Sequence, residues 1–291
     1  MELIADEALE RGGETAAAVK TIDRAAKLLA ALVGEDERGA MLSDVARRTG
    51  LGKATVHRLL GALTDVGFVA QDAGTRRYRL GVGLGLLATT ARHRHVGALA
   101  YPFLERIARI TADTAYVSVR EGLSAVCIGR EVGSFPIRTL SLEVGHRRPL
   151  GIGSGSLALL SFLSDAEIDA AIAGNRHWLE DYPRFDADLL RTLVTETRRY
   201  GFAFNDGRVI PGMNAIAVPV LDGEGRPLAS LSVAAIAERL RGERIPEVVQ
   251  LLQREAAELA ALMQSDFADN AIQVSPPEDH KAKRSTRGGS R

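Results

Sequence analysis

Glycine punctuates the stretch between Ile22 and Leu80 so closely that only short amphipathic helices and a small hairpin fit it. Ile22, Ala25, Ala26, Leu28, Leu29 and Leu32 fall on one helical face, and Gly34 ends that run. A second helix is predicted after Ser43 as N-cap, with Val45 and Ala46 inward and Gly50 as its stop. The third begins near Lys53, buries Val56, Leu59, Leu60 and Leu63, and stops before Gly67. Phe68–Ala70 and Tyr78–Leu80 then read as two short strands around the turn-rich Asp72–Arg77. Three helices and a hairpin make a winged helix-turn-helix, a fold whose second helix of the pair enters the DNA major groove.

Charge agrees with that reading once it is partitioned. The 291 residues hold 37 basic and 37 acidic side chains, which argues against a protein that coats nucleic acid along its whole surface. Yet residues 20–81 carry eleven basic against seven acidic residues, while 1–19 carry one against five. The positive excess therefore coincides with the predicted helix-turn-helix, as a compact polyanion-binding head would require. Lys53, Thr55, His57 and Arg58 lie off the apolar face of the third helix and suit base edges and phosphates, with Ser43 at the preceding helix start. Arg47, Arg48 and the wing residues Arg76 and Arg77 suit phosphate or minor-groove contacts.

Beyond the wing, Gly83–Arg94 reads as a connecting helix and Ala98–Thr111 as a separate amphipathic one. Strands are predicted at Thr114–Arg120, Ala125–Arg130, Ile137–Leu142, Phe202–Asn205, Asn214–Leu221 and Pro227–Ala234. Helices are predicted at Ser156–Leu163, Ala166–Ala173, Ala187–Tyr200 and Pro246–Met263. Strands grouped in threes around helices indicate an α/β chain of the α+β kind with an antiparallel sheet. The expected organisation is a disordered arm at 1–19, a DNA-binding domain at 20–81, a linker helix at 82–97, an effector-binding and oligomerisation domain at 98–264, and a disordered tail at 265–291.

Gly151-Ile152-Gly153-Ser154-Gly155-Ser156 precedes a helix and admits three chemistries. As a dinucleotide fingerprint it fails, because Ser156 stands at the final glycine position. As a nucleophile elbow it fails too, since neither Ser154 nor Ser156 is flanked by glycines at −2 and +2. As a loop of exposed amides at a helix N-terminus it suits a carboxylate or other small anion. Arg138, Arg147 and Arg148 are basic residues that could pair with such an anion.

No catalytic constellation appears: Asp206 has no partner acid or nucleophile beside it. His93 and His95 stand at a spacing that puts them on different helix faces, so no metal and no cofactor is expected. The single cysteine, Cys127, sits between Val126 and Ile128 in a strand pattern and reads as packed core. One cysteine excludes an intramolecular disulfide and fits a reducing cytoplasm. The longest apolar runs, near Gly83–Ala88 and Ala215–Leu221, are far below the ~18 residues of a membrane helix. Met1–Glu10, with four acids and no base, is the reverse of a secretory leader, so no membrane partner is expected.

Several segments together resemble the IclR family of bacterial transcriptional regulators. They are Lys20-Thr21-Ile22-Asp23-Arg24-Ala25, Leu42-Ser43-Asp44-Val45-Ala46, the run Gly50–Leu60 and Tyr78-Arg79-Leu80-Gly81. Downstream, Gly201–Gly207 and Gly212–Val220 resemble that family's effector-domain signature. The resemblance implies a winged helix-turn-helix joined by a linker helix to a GAF-like effector domain, and dimers or tetramers on a double-stranded DNA operator. It also implies a cavity for a small metabolite, with Ser154, Gly155 and Ser156 at the loop and Asn205, Ala215, Ser232 and Ala234 along the wall. Two departures stand out. Ala54 replaces the family's usual Ser at the start of the recognition helix, and Leu157 replaces a Lys in the family's Gly-Lys-Ala-Leu-Leu pattern. Asn205, Ala215 and Ala234 stand where relatives carry acid, Cys or Ser, implying a less polar pocket suited to a bulkier or aromatic acid.

Overall fold

A computed structural model describes residues 20–33 and 38–273. The expected arm at 1–19, and the expected tail from 274 onward, lie outside the described residues. The chain forms two compact units that divide between Thr90 and Ala91, the second unit running to Ala268.

The first unit comprises α1 (20–32), α2 (Leu42–Thr49), α3 (Lys53–Asp65) and the antiparallel pair β1 (Val69–Gln71) and β2 (Tyr78–Leu80). Its core gathers Leu28 and Leu32 of α1, Val45 and Ala46 of α2, Val56, Leu59 and Leu60 of α3, and Val69 and Tyr78 of the hairpin. The i, i+3, i+4 spacing of Val56, Leu59 and Leu60 puts all three on one face, as expected. The inward face of α1 is narrower than its periodicity predicts: Ile22 is 70% exposed, and burial is complete only near Leu28 and Leu32. Ser43 is not an N-cap. Met41 takes that position without a side-chain cap, and Ser43 is the second helical residue. At the wing tip, Asp72 accepts hydrogen bonds from Gly74 N, Thr75 N and Thr75 Oγ1, which close the turn and hold its carboxyl below the usual range.

One continuous helix, α4 (Val82–Thr111), replaces the two predicted there. The gap expected around Gly97 is filled because this glycine is a packing residue: a Cβ there would stand 3.1 Å from the Ile128 carbonyl oxygen. Pro102 is also accommodated inside the helix.

The second unit is built on a six-stranded sheet, every neighbouring pair antiparallel, in the order β5-β4-β3-β8-β7-β6. The strands are β3 (Thr114–Glu121), β4 (Ser124–Glu131), β5 (Arg147–Pro149), β6 (Ala203–Asp206), β7 (Met213–Leu221) and β8 (Pro227–Ile236). Ile137–Leu142 forms no strand. The edge of β4 is taken instead by β5, with Ala125 opposite Arg148, and residues 132–146 connect the two strands irregularly. Side chains replace the missing ladder: Thr139 Oγ1 donates to the Ala234 carbonyl at 2.7 Å, and Tyr116 OH donates to the Thr139 carbonyl.

Strand alternation gives the sheet two different faces. One face presents Ala115, Val117, Val119, Ile216, Val218, Leu231 and Val233 to α4 and to α9 (Arg244–Gln273). Fully buried Leu104 and Ile107 on α4 and Leu252 and Leu259 on α9 each contribute about 1.5–3 kcal/mol of burial. The chain at 265–273, expected in the tail, continues α9. Across the sheet lie α5 (Ser154–Ser161), α6 (Asp165–Gly174), the short α7 (Arg176–Leu179) and α8 (Ala187–Tyr200), around Leu150, Ile152, Leu159, Leu160 and Leu190. Ser164 and Glu167 form a capping box at the start of α6, where Arg120 joins them and takes the Glu167 carboxyl down to about 2.

At one end of the sheet Asp113, 5% exposed, is held by Arg239 Nε at 2.9 Å and Arg244 Nη2 at 2.6 Å. The Arg239 guanidinium also stacks 3.7 Å over the Phe135 ring, and Phe135 N donates to the Ala112 carbonyl. This node anchors the start of the 132–146 connection.

Candidate functional site

In the first unit, Lys53, His57 and Arg58 of α3 are exposed: Arg58 lies opposite the buried stripe, His57 on its flank, and Lys53 at the helix start, one turn before Val56. Thr55 lies at the edge of that surface and is half-buried. Ser43 is exposed in the first turn of α2. Among the described residues, none of Lys53, Arg58 and Arg76 has an acidic partner within ion-pair distance. The other basic residues singled out are engaged within the unit. Arg77 Nη1 donates to the Gly39 carbonyl at 2.7 Å, Arg48 Nη1 to the Ala31 carbonyl at 3.1 Å, and Arg47 pairs with Asp44 at 2.9 Å. Arg76 projects from the wing with a left-handed φ of 58°. The structure thus leaves Lys53, His57 and Arg58 exposed in the first two turns of α3 and gives Arg77 a bracing bond.

In the second unit a cavity of about 60 Å³ lies between α5 and the polar face of the sheet. Ser154, Gly155, Ser156, Asn205, Ala215, Ser232 and Ala234 all line it. Strand register explains the meeting: Ala215 pairs with both Asn205 of β6 and Ala234 of β8, and Ser232 sits opposite Tyr116 of β3. The glycine and serine run is not a free loop. Gly153 caps α5, with Ser154, Gly155 and Ser156 in its first turn. Gly153 needs its left-handed φ of 84°, and a Cβ there would meet Arg148 Nη1 at 3.2 Å. Ser156 Oγ accepts from Gly151 N at 3.0 Å and donates to the Pro149 carbonyl at 2.7 Å, so it fastens the turn.

Tyr116, Ser118, Ser141 and Met213 are among the wall residues that the sequence reading did not place there. A signal for Tyr116 and Ser118 exists: they interrupt the apolar Ala115, Val117 and Val119 at a period of two. Ser118, Ser141, Asn214 and Arg148 give the wall more polarity than Asn205, Ala215 and Ala234 imply. Of the three arginines considered as anion partners, only Arg148 lines the cavity. Arg147 binds both oxygens of Glu121 at 2.8 Å, and Arg138 is exposed. Burial lowers the Arg148 pKa and raises that of the Tyr116 hydroxyl. Cys127, packed with Tyr116 and Ala234 and 1% exposed, has its thiol pushed up to about 11 by burial, as a core residue should.

Other titratable residues are spoken for elsewhere. Asp206 pairs with Arg208 at 2.7 Å. His95 Nε2 meets Asp266 at 2.5 Å, and His93, its pKa lowered by burial, lies 3.9 Å from Glu121. Among the described residues no group of three or more His, Cys, Asp or Glu side chains is placed to hold a metal ion, and no helix is long and apolar enough to cross a membrane.

Comparison with known proteins agrees with both halves of this architecture. Residues 21–73 match the IclR helix-turn-helix domain, and residues 88–261 match the bacterial transcriptional regulator IclR C-terminal domain. The chain is 30% identical over 235 residues to the glycerol operon regulatory protein of Streptomyces coelicolor, covering 79% of this chain and 91% of that one. It is 25% identical over 248 residues to the HTH-type transcriptional regulator XynR of Escherichia coli, covering 83% and 96%. Among solved structures it is similar in fold to an IclR homolog from Microbacterium hydrocarbonoxydans complexed with 4-hydroxybenzoate. That match has TM-score 0.52 and 22% identity, and covers 84% of this chain and 99% of that one. The chain belongs to the IclR family of bacterial transcriptional regulators, DNA-binding proteins that are not enzymes.

Proposed function

We propose that this regulator reads a specific operator through α3 and that a small organic acid bound in the second unit's cavity alters its affinity for that operator. The observation that carries the DNA reading is that Lys53, His57 and Arg58 are exposed in the first two turns of α3, with Arg58 opposite the buried Val56, Leu59 and Leu60. Arg58 is assigned to a base edge, where a bidentate contact with guanine suits a guanidinium. Lys53, Thr55 and His57 are assigned to neighbouring bases and phosphates, and Ser43 and Arg76 to phosphates. Arg77, already bonded to Gly39, is assigned mainly a bracing role in the wing.

A module with a net charge of four in residues 20–81 binds DNA modestly by itself. Two modules on a near-palindromic site multiply affinity through effective concentration, so a homo-oligomer, dimer or tetramer, is part of the proposal. The effector acts by binding more tightly to one arrangement of the DNA-binding units than to another, typically with 1–3 kcal/mol of coupling.

The acid is assigned to the α5 N-terminus, where Ser154 and Gly155 stand in the first turn, with Asn205, Ala215, Ser232 and Ala234 around its body. The complex of a similarly folded protein with 4-hydroxybenzoate supports an aromatic acid as the first compound to try. The test is footprinting of the full chain on the DNA upstream of its own gene, with and without a series of aromatic and aliphatic acids. A matching thermal-shift screen should give about 2.7 kcal/mol of stabilisation at 100 times the dissociation constant. A discrete footprint that one acid weakens or strengthens is expected. A footprint indifferent to every acid that stabilises the protein would remove the regulatory coupling.

A further inference from the structure

We propose that Arg148 sets the charge of the effector: it holds the single carboxylate of an acid whose remaining body is uncharged, beside the first turn of α5. This rests on the reading of the cavity as an effector site. Among the described residues lining the cavity, Arg148 is the only charged side chain. No carboxylate among the described residues lies within ion-pair distance of it, whereas its neighbour Arg147 is bound to Glu121. Among the described residues, the one acceptor of its guanidinium is the Ser141 carbonyl, 2.7 Å from Nη2. A partly desolvated cation without a counter-charge favours an anion beside it.

The surroundings of Arg148 supply the rest of an anion cradle. Its Nη1 lies 3.2 Å from the Cβ position of Gly153, the cap of α5, where the helix presents unpaired amides and the positive end of its dipole. An independent observation marks the same turn. Ser230 Oγ, on a residue 1% exposed, has no hydrogen-bond partner, and it stands 3.3 Å from the Cβ position of Gly155. Ser232 Oγ and Ser118 Oγ stand 3.6 and 3.8 Å from that same point. The guanidinium, the helix amides and the lining hydroxyls of Ser118 and Ser232 therefore gather at one end of α5, with the Ser230 hydroxyl behind the wall.

Valence and shape select the ligand. The planar fork of a guanidinium matches the two oxygens of a carboxylate. One cation neutralises one negative charge, so a dicarboxylate would carry a second charge into the cavity without a partner. A neutral amide would leave Arg148 unpaired. Val209, Ile210, Met213, Ala215 and Ala234 offer the body of the ligand no charge to meet.

The test is calorimetry on the full chain at neutral pH with 4-hydroxybenzoate, its neutral analogue 4-hydroxybenzamide and the dianion terephthalate. The wild type should bind the monoacid at least about 30-fold more tightly than either comparator. Arg148→Gln should abolish that preference, and Arg148→Lys should retain part of it. If wild type binds acid and amide alike, or Arg148→Gln keeps full affinity for the acid, the assignment of Arg148 is wrong and the cavity still stands as an effector site. If none of the three binds, both the assignment and the reading beneath it fail. Should the variants not fold, the wild-type ratio of acid to amide decides.

Discussion

Arg148 Nη2 donates a 2.7 Å hydrogen bond to the carbonyl of Ser141, joining β5 to the irregular connection that supplies Ser141 and Leu142 to the cavity wall. The same connection is pinned by Thr139 to β8 and by Arg130 Nη1 to the Leu142 carbonyl at 3.1 Å. Local order there depends on side-chain bonds in place of a strand ladder. Hydrogen exchange of Arg148→Gln should show amides around 139–142 opening about tenfold more often, a modest effect because Thr139 and Arg130 remain. Unchanged exchange would mean that the Arg148 bond adds nothing to the order of that segment.

Arg76 and Arg77 are neighbours with different work. Arg77→Ala leaves the Gly39 carbonyl without its charged donor and should destabilise the first unit by about 1–3 kcal/mol. Arg76→Gly relieves a left-handed φ of 58° and should leave stability unchanged or raise it by up to about 1 kcal/mol. Its DNA affinity should fall at low salt with a shallower salt slope. Paired thermal denaturation and DNA titration check both, and equal melting behaviour of the two variants would contradict the assignment.

Asp113 is the acid beneath two arginines. Asp113→Ala leaves Arg239 and Arg244 without their shared carboxylate and should cost about 3–5 kcal/mol. Denaturant unfolding measures it. A loss below 1 kcal/mol would show the node to be marginal.

Cys127 should be inert in the folded protein. With its thiol pushed up to about 11 by burial, it carries almost no thiolate at pH 8. A chromogenic disulfide reagent at pH 8 should therefore react only at the rate of unfolding, and promptly in denaturant. Rapid native labelling would show that the wall behind Tyr116 and Ala234 opens readily.

Local pattern carried much of this architecture. The stripe of Val56, Leu59 and Leu60 defines α3, Asp186 and Gly201 bracket α8 at its predicted bounds, and the glycine and serine run marks the cavity's polar end. What escaped depends on contacts distant in sequence. The two helices expected on either side of residues 95–97 are one, with Gly97 packed against the Ile128 carbonyl, a contact the local pattern does not show. Ile137–Leu142 has strand composition, yet the β4 edge it would need is occupied by Arg147–Pro149. Arg147 and Arg148 are indistinguishable as letters. Opposite strand faces send one to Glu121 and the other to the cavity, and a two-residue period read from Pro149 separates them.

The central claim is that α3 reads DNA, and footprinting of Arg58→Ala beside the wild type on the DNA upstream of the gene tests it most directly. The wild type should protect a discrete, near-palindromic site. The variant should fold normally, lose about 1–3 kcal/mol of specific affinity and keep its non-specific binding. Identical footprints from the two proteins would contradict the account.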